Sequence, residues 1–205
     1  MKTLVKKENV WKIENGEIRK PKMNNIIMMA LFIGIGVVVG TFGSMVVPLG
    51  FVSAFWPGQA IQSVGCIWFG MWGGIASVIF PMISNAIAGS ASLPISIAYL
   101  PGNFLQGMIA GIAFRVFKAD PRLKSGKDWI IYTIFGVIIC NAIGAAWGST
   151  VLRMFKLISP ASHLTVFLGW AIGNSVPSFI LGAILLKFVS PIIMRSRSFV
   201  KKYLA

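Results

Sequence analysis

Acidic residues are scarce in this sequence, and histidine and cysteine are scarcer still. The 205 residues include five aspartates and glutamates, one histidine and two cysteines. All five carboxylates fall outside the apolar stretches, so no carboxylate pair is placed for acid–base catalysis or for coupling transport to an ion. Cys66 and Cys140 stand alone within apolar runs and predict neither a disulfide nor a metal site. We therefore expect no enzyme activity, no metal and no cofactor.

Charged residues of either sign are also few. They make up 12% of the chain, whereas soluble domains carry about 25%. Apolar residues make up 56% of the chain, and the mean hydropathy is +0.80. The sequence therefore predicts an integral membrane protein. The net charge of +14 comes from basic clusters between apolar segments, as membrane topology requires, so we expect no nucleic-acid binding.

The apolar stretches predict an all-α protein with six transmembrane helices. The helices cover about 24–41, 60–70, 71–89, 95–117, 129–150 and 164–189. A cytoplasmic N-terminal tail, 1–23, precedes the six-helix membrane domain, 24–190, and a basic cytoplasmic tail, 191–205, follows it. No cleavable signal peptide is evident. The irregular apolar stretch 42–59 predicts an outer loop or a re-entrant segment after the first helix.

The basic residues predict the orientation of these helices. Lysines and arginines concentrate in the N-terminal tail, in the central loop 118–128 and in the C-terminal tail. Six crossings place all three groups on one side of the membrane, which the positive-inside rule makes the cytoplasm. We therefore expect both termini inside and membrane lipid around the bundle.

Each of the last four predicted helices carries one asparagine: Asn85, Asn103, Asn141 and Asn174. The last three lie roughly 12–15 Å below the outer surface by helix rise, and Asn85 is shallower. Hydrogen bonding between helices is the common role of such amides. Four amides at comparable depth favour a shared polar cavity for an uncharged group. Gln106, one turn below Asn103, favours a helix–helix contact.

Aromatic residues flank this level: Trp56, Tyr99, Trp147 and Trp170. Trp170 lies one turn from Asn174 on the same helix face and could wall the same cavity. Trp56 and Trp147 also fit an interfacial aromatic belt. Arg153 lies in the outer loop after the fifth helix, where it is either solvated or able to close over an anionic group.

Small residues recur at helical spacing in the first helix. Ala30-x-x-x-Gly34 and Gly36-x-x-x-Gly40 allow another helix to approach closely. The pattern fits packing within this chain and docking against another membrane subunit equally well.

Four segments resemble the S component, the substrate-binding membrane subunit, of an energy-coupling-factor (ECF) transporter. They are "ALFIGIGVVVG" (30–40), "FGMWGGIASVIFPMISNAIAG" (69–89), "LPGNFLQGMIAGIAFR" (100–115) and "IGNSVPSFILGAILLKFVSP" (172–191). The resemblance covers about residues 24–195. It implies a prokaryotic cell-membrane protein that binds a vitamin or similar micronutrient in a cavity open to the outside. It also implies docking onto a membrane T subunit and two cytoplasmic ATPases, with no ATPase in the chain itself.

The resemblance also implies roles for particular residues. The residues that it implies for substrate binding are Asn103, Asn141, Trp170, Asn174, Trp56, Asn85, Tyr99, Trp147 and Arg153. Docking falls to the first helix, at Ala30, Gly34, Gly36 and Gly40; the family usually has Ala-x-x-x-Ala where this chain has Ala30 and Gly34. Because no buried carboxylate is available for a cation, we expect a neutral or anionic ligand. A membrane sensor or assembly protein whose asparagines pair with one another, and a solitary carrier, remain as alternatives.

Overall fold

A computed structural model describes residues 9–13, 20–46, 48–49, 52–53 and 55–204, with only the backbone described within 44–54. The helices are α1 Met23–Val46, α2 Gly58–Phe69, α3 Met71–Ala88, α4 Leu93–Ala98, α5 Leu100–Val116, α6 Gly126–Ile131, α7 Cys140–Met154, α8 His163–Ile184 and α9 Ser190–Ile193. A π-helical segment, Tyr132–Ile139, joins α6 to α7, and a second, Leu185–Val189, joins α8 to α9. Two short antiparallel strands, β1 Pro48–Leu49 and β2 Val52–Ser53, lie between α1 and α2.

Five helical segments of the described chain are long and apolar enough to cross a membrane. They are Met23–Gly43, Met71–Ala88, Leu93–Val116, Gly126–Met154 and His163–Ile193. The prediction of a helical, multi-pass membrane protein is therefore confirmed at this level. Large apolar side chains on the outside of the bundle, such as Ile27, Leu31 and Ile180, are exposed, as a lipid-facing surface requires.

The second predicted helix exists as α2, but it is short. Its twelve residues extend roughly 18 Å at 1.5 Å per residue, which is less than the hydrocarbon core of about 30 Å. Six complete crossings and the orientation of the termini therefore stay predictions. The predicted outer loop begins later than expected, because α1 continues to Val46. Its residues 47, 50, 51 and 54 lie outside the described part of the chain.

α2 lies at the centre of the bundle, because all of its residues are buried. It packs against α3, α5 and α8, while α1 packs chiefly against α3. Gly70, with φ +58°, reverses the chain between α2 and α3. Gly73 lies so close to α2 that a Cβ there would come within 2.2 Å of the carbonyl oxygen of Gly65. The two helices are therefore in direct backbone contact.

Residues near the two termini meet at one end of the bundle, which we call the tail end. Trp11 Nε1 donates a hydrogen bond to the carbonyl of Ala119 at 2.8 Å. The Trp11 ring packs on Phe199, with 5.3 Å between ring centroids. The described N-terminal residues thus contact both the loop after α5 and the C-terminal tail.

The C-terminal tail covers the turn between α2 and α3. Met71 N donates to the carbonyl of Tyr203 at 2.7 Å, and Val200 N donates to the carbonyl of Trp68 at 2.9 Å. These bonds satisfy backbone groups that a helix start and a helix end leave without partners. The tail is therefore part of the packed structure.

The guanidinium of Arg115 links these segments at the tail end. Its Cζ lies 4.6 Å from the centroid of the Trp11 ring and 5.5 Å from that of Tyr203, distances typical of cation–π contacts. Its nitrogens donate to the backbone carbonyls of Cys66, Gly111, Val200 and Lys202. Arg115 thus holds both tails to α2 and α5.

The central loop 118–128 is tightly hydrogen bonded at the same end. Ser125 and Asp128 form a capping box at the start of α6. Arg122 donates to both carboxylate oxygens of Asp120, at 2.7 Å for Nη2 to Oδ2. Burial acts to raise the pKa of Asp120, but the hydrogen bonds and charge of Arg122, with the charge of Lys124, outweigh it and hold the pKa below its ordinary value of 3.8.

Candidate ligand-binding site

Buried amides occupy the middle of the bundle. We call them the amide layer, and each of its side chains is 4% exposed or less. The members are Gln59, Gln62, Gln106, Asn141 and Asn174. They come from α2, α5, α7 and α8, so the layer crosses most of the bundle.

Contacts on either side place Asn141 and Asn174 at matching heights on neighbouring helices. Trp170 of α8 lies against Gly148 of α7. Further along, Tyr132 Oη donates to the carbonyl of Ser178 at 2.6 Å. Because α7 and α8 run antiparallel between these two contacts, Asn141 and Asn174 fall at about the same level.

The glutamines of α2 and α5 reach the same region. Gln59 Nε2 donates to Cys140 Sγ at 3.4 Å, and Cys140 directly precedes Asn141. The side chain of Gln106 covers Gly144, one turn from Asn141, and a Cβ on Gly144 would lie 1.9 Å from Gln106 Cδ. Gln106 is thus a helix–helix contact, as its sequence position favours, and also a member of the layer.

A proline explains how Gln62 is held. Pro81 lies inside α3 and has no N–H, so the carbonyl of Ser77 loses its usual partner one turn on. Gln62 Nε2 donates to this carbonyl at 2.9 Å. The helix defect in α3 therefore fixes the position of a glutamine on α2.

Seven buried side-chain atoms of the described chain lack a hydrogen-bond partner. Six belong to the amide layer, and the seventh is Oγ of Ser178, one turn from Asn174. The six are Gln59 Oε1, Gln62 Oε1, Gln106 Nε2, Asn141 Oδ1, Asn174 Nδ2 and Asn174 Oδ1. A buried polar atom without a partner costs about 1–3 kcal/mol. The cost disappears when a ligand or water with complementary groups binds there.

Asn103 and Asn85 lie on the loop-end side of the amide layer, where the loop end is the end of the bundle opposite the tail end. Asn103 is half-buried on α5, one turn from Gln106 towards the loop end. Asn85 lies at the loop end, where its Nδ2 donates to Ser96 Oγ at 3.2 Å and its Oδ1 accepts from Ser90 Oγ at 3.1 Å. Asn85 thus ties the end of α3 to α4. Of the four predicted asparagines, Asn141 and Asn174 are the two that belong to the amide layer.

The predicted aromatic residues surround the loop-end side of the layer. Tyr99 and Trp170 meet edge to face, with 5.7 Å between centroids. They belong to a small apolar cluster that includes Ile95, Val151 and Leu152. Trp170 therefore does lie between the amide layer and the loop end.

The two remaining tryptophans act partly as packing residues. Trp147 is 41% exposed, and its Nε1 donates to the carbonyl of Ala98 at 2.8 Å. Trp56 Nε1 donates to the carbonyl of Gly40 at 3.2 Å, and its ring stacks on Phe80. Trp56 thus seals the start of α2 against α1 and α3.

Arg153 and His163, both at the loop end, do not reach the amide layer. Arg153 is exposed near the end of α7, on the far side of the Tyr99–Trp170 cluster from the layer. His163 Nε2 lies 3.0 Å from Ser149 Oγ and joins α8 to α7. In the ranges that the structure describes, no group of three histidine, cysteine, aspartate or glutamate side chains is placed to hold a metal ion.

The small residues of α1 divide between two surfaces. Gly36 packs against the ring of Phe80, and Gly40 packs against Ser84. Gly36 and Gly40 are therefore buried against α3, and the docking surface predicted on α1 does not include them. Ala30 and Gly34 instead line an exposed apolar groove of about 670 Å³, so the docking prediction remains for these two.

Sequence reasoning missed Gln59 and Gln62 as members of the layer. Both lie in a helix that otherwise reads as apolar, three residues apart on one face. That spacing of amides was the available signal. Comparison with known proteins adds nothing to it: no family model, no curated protein and no solved structure matches this chain.

Proposed function

We propose that this chain is the substrate-binding membrane subunit of an ATP-driven importer for a vitamin-type micronutrient. It captures a neutral or anionic small molecule from outside and passes it on by docking to a T subunit with two ATPases. The observation that carries the proposal is the set of unpartnered buried atoms in the amide layer. In an apolar bundle such groups are costly, and binding of a small molecule between four helices removes the cost.

The meeting of the tails supports an orientation. Trp11 and Phe199 lie in contact at the same end, which supports an even number of membrane crossings. In this proposal, α2 returns the chain between the first two of the five long spans, which makes six crossings. The basic loop 118–128 and the basic tail lie at this end, which the positive-inside rule places in the cytoplasm. The loop end then faces outwards, and the ligand enters from there.

The exposed groove on α1 supports a docking role. Ala30 and Gly34 leave room for a helix to approach, and a Cβ on Gly34 would meet nothing within 4 Å. Ile27, Leu31 and Ile35 complete an apolar surface. In this proposal, the T subunit packs a helix into this groove.

The sensor or assembly alternative predicts that the asparagines pair with one another. Asn141 donates to the carbonyl of Val137 on its own helix, Asn85 bonds to serines, and Asn174 has no partner within the described residues. This pattern disfavours that alternative. The solitary carrier makes a different prediction, namely uptake in the absence of any ATPase.

Mass spectrometry of small molecules that co-purify with the full chain tests the proposal. We expect one micronutrient to be retained by the wild type and lost from Asn174→Leu. Ser175→Ala is the matched control, because Ser175 Oγ bonds only to the carbonyl of Ala171 on the same helix. Retention of no compound, or equal retention by Asn174→Leu, would contradict ligand binding.

Docking has a separate test. Gly34→Leu fills the groove on α1, so we expect the T subunit to be lost on co-purification while the retained compound stays. Val176→Leu, at an exposed position on α8, should change neither. Uptake by cells that contain the chain but no energising ATPases would favour the solitary carrier instead.

A further inference from the structure

Two amides of the amide layer have an orientation that the backbone fixes. Gln62 Nε2 donates to the carbonyl of Ser77 at 2.9 Å, and Asn141 Nδ2 donates to the carbonyl of Val137 at 2.8 Å. A carbonyl only accepts hydrogen bonds, so the amide nitrogen must face it. The oxygen of each amide therefore faces the other way.

Gln59 is oriented by a hydroxyl. Its Nε2 lies 3.2 Å from Ser63 Oγ. The hydroxyl of Ser63 donates its hydrogen to the carbonyl of Gly136 at 3.0 Å, so towards Gln59 it can only accept. The amide nitrogen of Gln59 thus donates to Ser63, and the amide oxygen of Gln59 has no hydrogen-bond partner in the described structure.

The atoms of these three side chains that have no partner at all are acceptors, although Gln62 Nε2 and Asn141 Nδ2 each keep a second N–H. Gln59 Oε1, Gln62 Oε1 and Asn141 Oδ1 are buried and without a donor in the described structure. An anionic group would be repelled by these three oxygens, and the open amide nitrogens of Gln106 and Asn174 leave donors in the layer for an uncharged acceptor of the ligand. A cation would lose its hydration, and uncharged amide oxygens offset that cost only in part because the layer holds no carboxylate. A neutral ligand with N–H or O–H groups would satisfy these oxygens without either cost.

We propose that Gln59, Gln62 and Asn141 make this chain specific for neutral ligands that present several N–H or O–H donors, such as cyclic amides, ureides or polyols. This inference rests on the proposed binding function of the amide layer. It narrows the neutral or anionic class to neutral ligands. It also assigns two of the three selecting residues to α2, a helix on which the family resemblance implies no substrate-binding residue.

The first experiment identifies the ligand without assuming it. The purified full chain in lipid nanodiscs is incubated with the small-molecule fraction of a cell extract, washed, and its retained compounds are identified by mass spectrometry. We expect a neutral compound with at least two donors. Binding of that compound should weaken about tenfold in each of Gln59→Leu, Gln62→Leu and Asn141→Leu, as the loss of one well-formed hydrogen bond implies. Ser175→Ala should bind it like the wild type.

The second experiment uses the wild-type protein, so it does not depend on how the variants fold. The retained compound is compared with a derivative in which its N–H or O–H donors are methylated. We expect the derivative to bind the wild type at least tenfold more weakly. In Gln62→Leu that difference should shrink, because the oxygen that accepts from the donor is gone.

The possible outcomes separate this inference from the proposed function. A retained compound that depends on Asn174 but is anionic, lacks donors or tolerates methylation would overturn the inference alone. Unchanged affinity in all three Leu variants would do the same. A wild-type protein that retains no compound would overturn both.

Discussion

The tail end and the amide layer both bury polar groups in an apolar bundle, and they differ in how those groups are partnered. At the tail end, Trp68 Nε1 donates to Ser190 Oγ at 2.8 Å, and Ser190 Oγ donates to the carbonyl of Pro121 at 2.9 Å. The guanidinium of Arg115 is surrounded by carbonyls and rings. In the amide layer, by contrast, six atoms lack partners.

This difference in hydrogen bonding indicates that the two regions differ in how rigidly they are held. Satisfied polar networks in a low-dielectric interior hold elements rigidly, whereas partly satisfied ones are destabilising. The tail end therefore fixes the helices and both tails relative to one another. The amide layer contains open polar groups that cost stability, and a trade-off of this kind is expected at a binding site such as the one we propose.

The largest loss of stability is expected where the backbones of α2 and α3 are in direct contact, at Gly65 and Gly73. In Gly73→Ala the new Cβ would lie 2.2 Å from the carbonyl oxygen of Gly65, and neither backbone can move easily. Overpacking of this kind costs typically 1–3 kcal/mol, and we expect about 3 kcal/mol or loss of folded protein. Thermal unfolding in detergent measures it. Gly34→Ala, with open space around it, is the control, and equal destabilisation by both would contradict the backbone-contact explanation.

The next largest effect is expected at Arg115. Arg115→Ala removes the donors to the carbonyls of Val200 and Lys202, so we expect a loss of about 2–3 kcal/mol, typical of bonds to a charged group. Residues 198–204 should also become sensitive to limited proteolysis. Arg195→Ala, on an exposed residue of the same tail, should change stability by no more than about 0.5 kcal/mol. A tail that stays protected in Arg115→Ala would show that Arg115 does not hold it.

Substitution of an amide in the amide layer should increase stability. Asn174→Leu removes two buried atoms that lack partners, so we expect the ligand-free protein to gain about 1 kcal/mol of stability while ligand binding is lost. Unfolding of ligand-free protein measures the first effect. Asn141→Leu should gain less, because Asn141 also loses its bond to Val137. A ligand-free Asn174→Leu protein that is clearly less stable than wild type would mean that Asn174 is already satisfied.

The smallest effect concerns pH at the tail end. The folded-state pKa of Asp120 is lowered, so its pairing with Arg122 contributes stability above the ordinary pKa of 3.8, and this stability is lost as the pH falls through the lower folded value. Stability curves between neutral and strongly acidic pH should therefore flatten slightly in Asp120→Asn. If the stability of wild type and of Asp120→Asn falls equally steeply with pH on the acid side, Asp120 does not contribute to the pH dependence of stability.

The class of protein and most helix positions were readable from the sequence. Runs of apolar residues predicted the long spans, and the charge-rich segment 118–128 predicted the break between α5 and α6. Hydropathy also suggested a helix at 60–70, but it could not show that α2 is short and central. Length and burial of a helix depend on its neighbours, and only packing reveals them.

The site was predictable in part. Asparagines in apolar helices signal either a contact or a site, and the sequence placed Asn141 and Asn174 at similar depths. It could not separate them from Asn85, because the bonds of Asn85 to Ser96 and Ser90 depend on how the α3–α4 turn folds. It also could not show that Pro81 frees the carbonyl that holds Gln62.

The sequence by itself determined that this is a helical membrane protein, because hydropathy and charge are properties of each residue that need no partner. Only the tertiary structure decided which polar groups are satisfied. A hydrogen bond needs two groups within about 3 Å, and the rotation and height of each helix set that distance. For this reason the side-chain amide of Asn85 is hydrogen bonded to two serines, whereas that of Asn174 has no partner in the described structure.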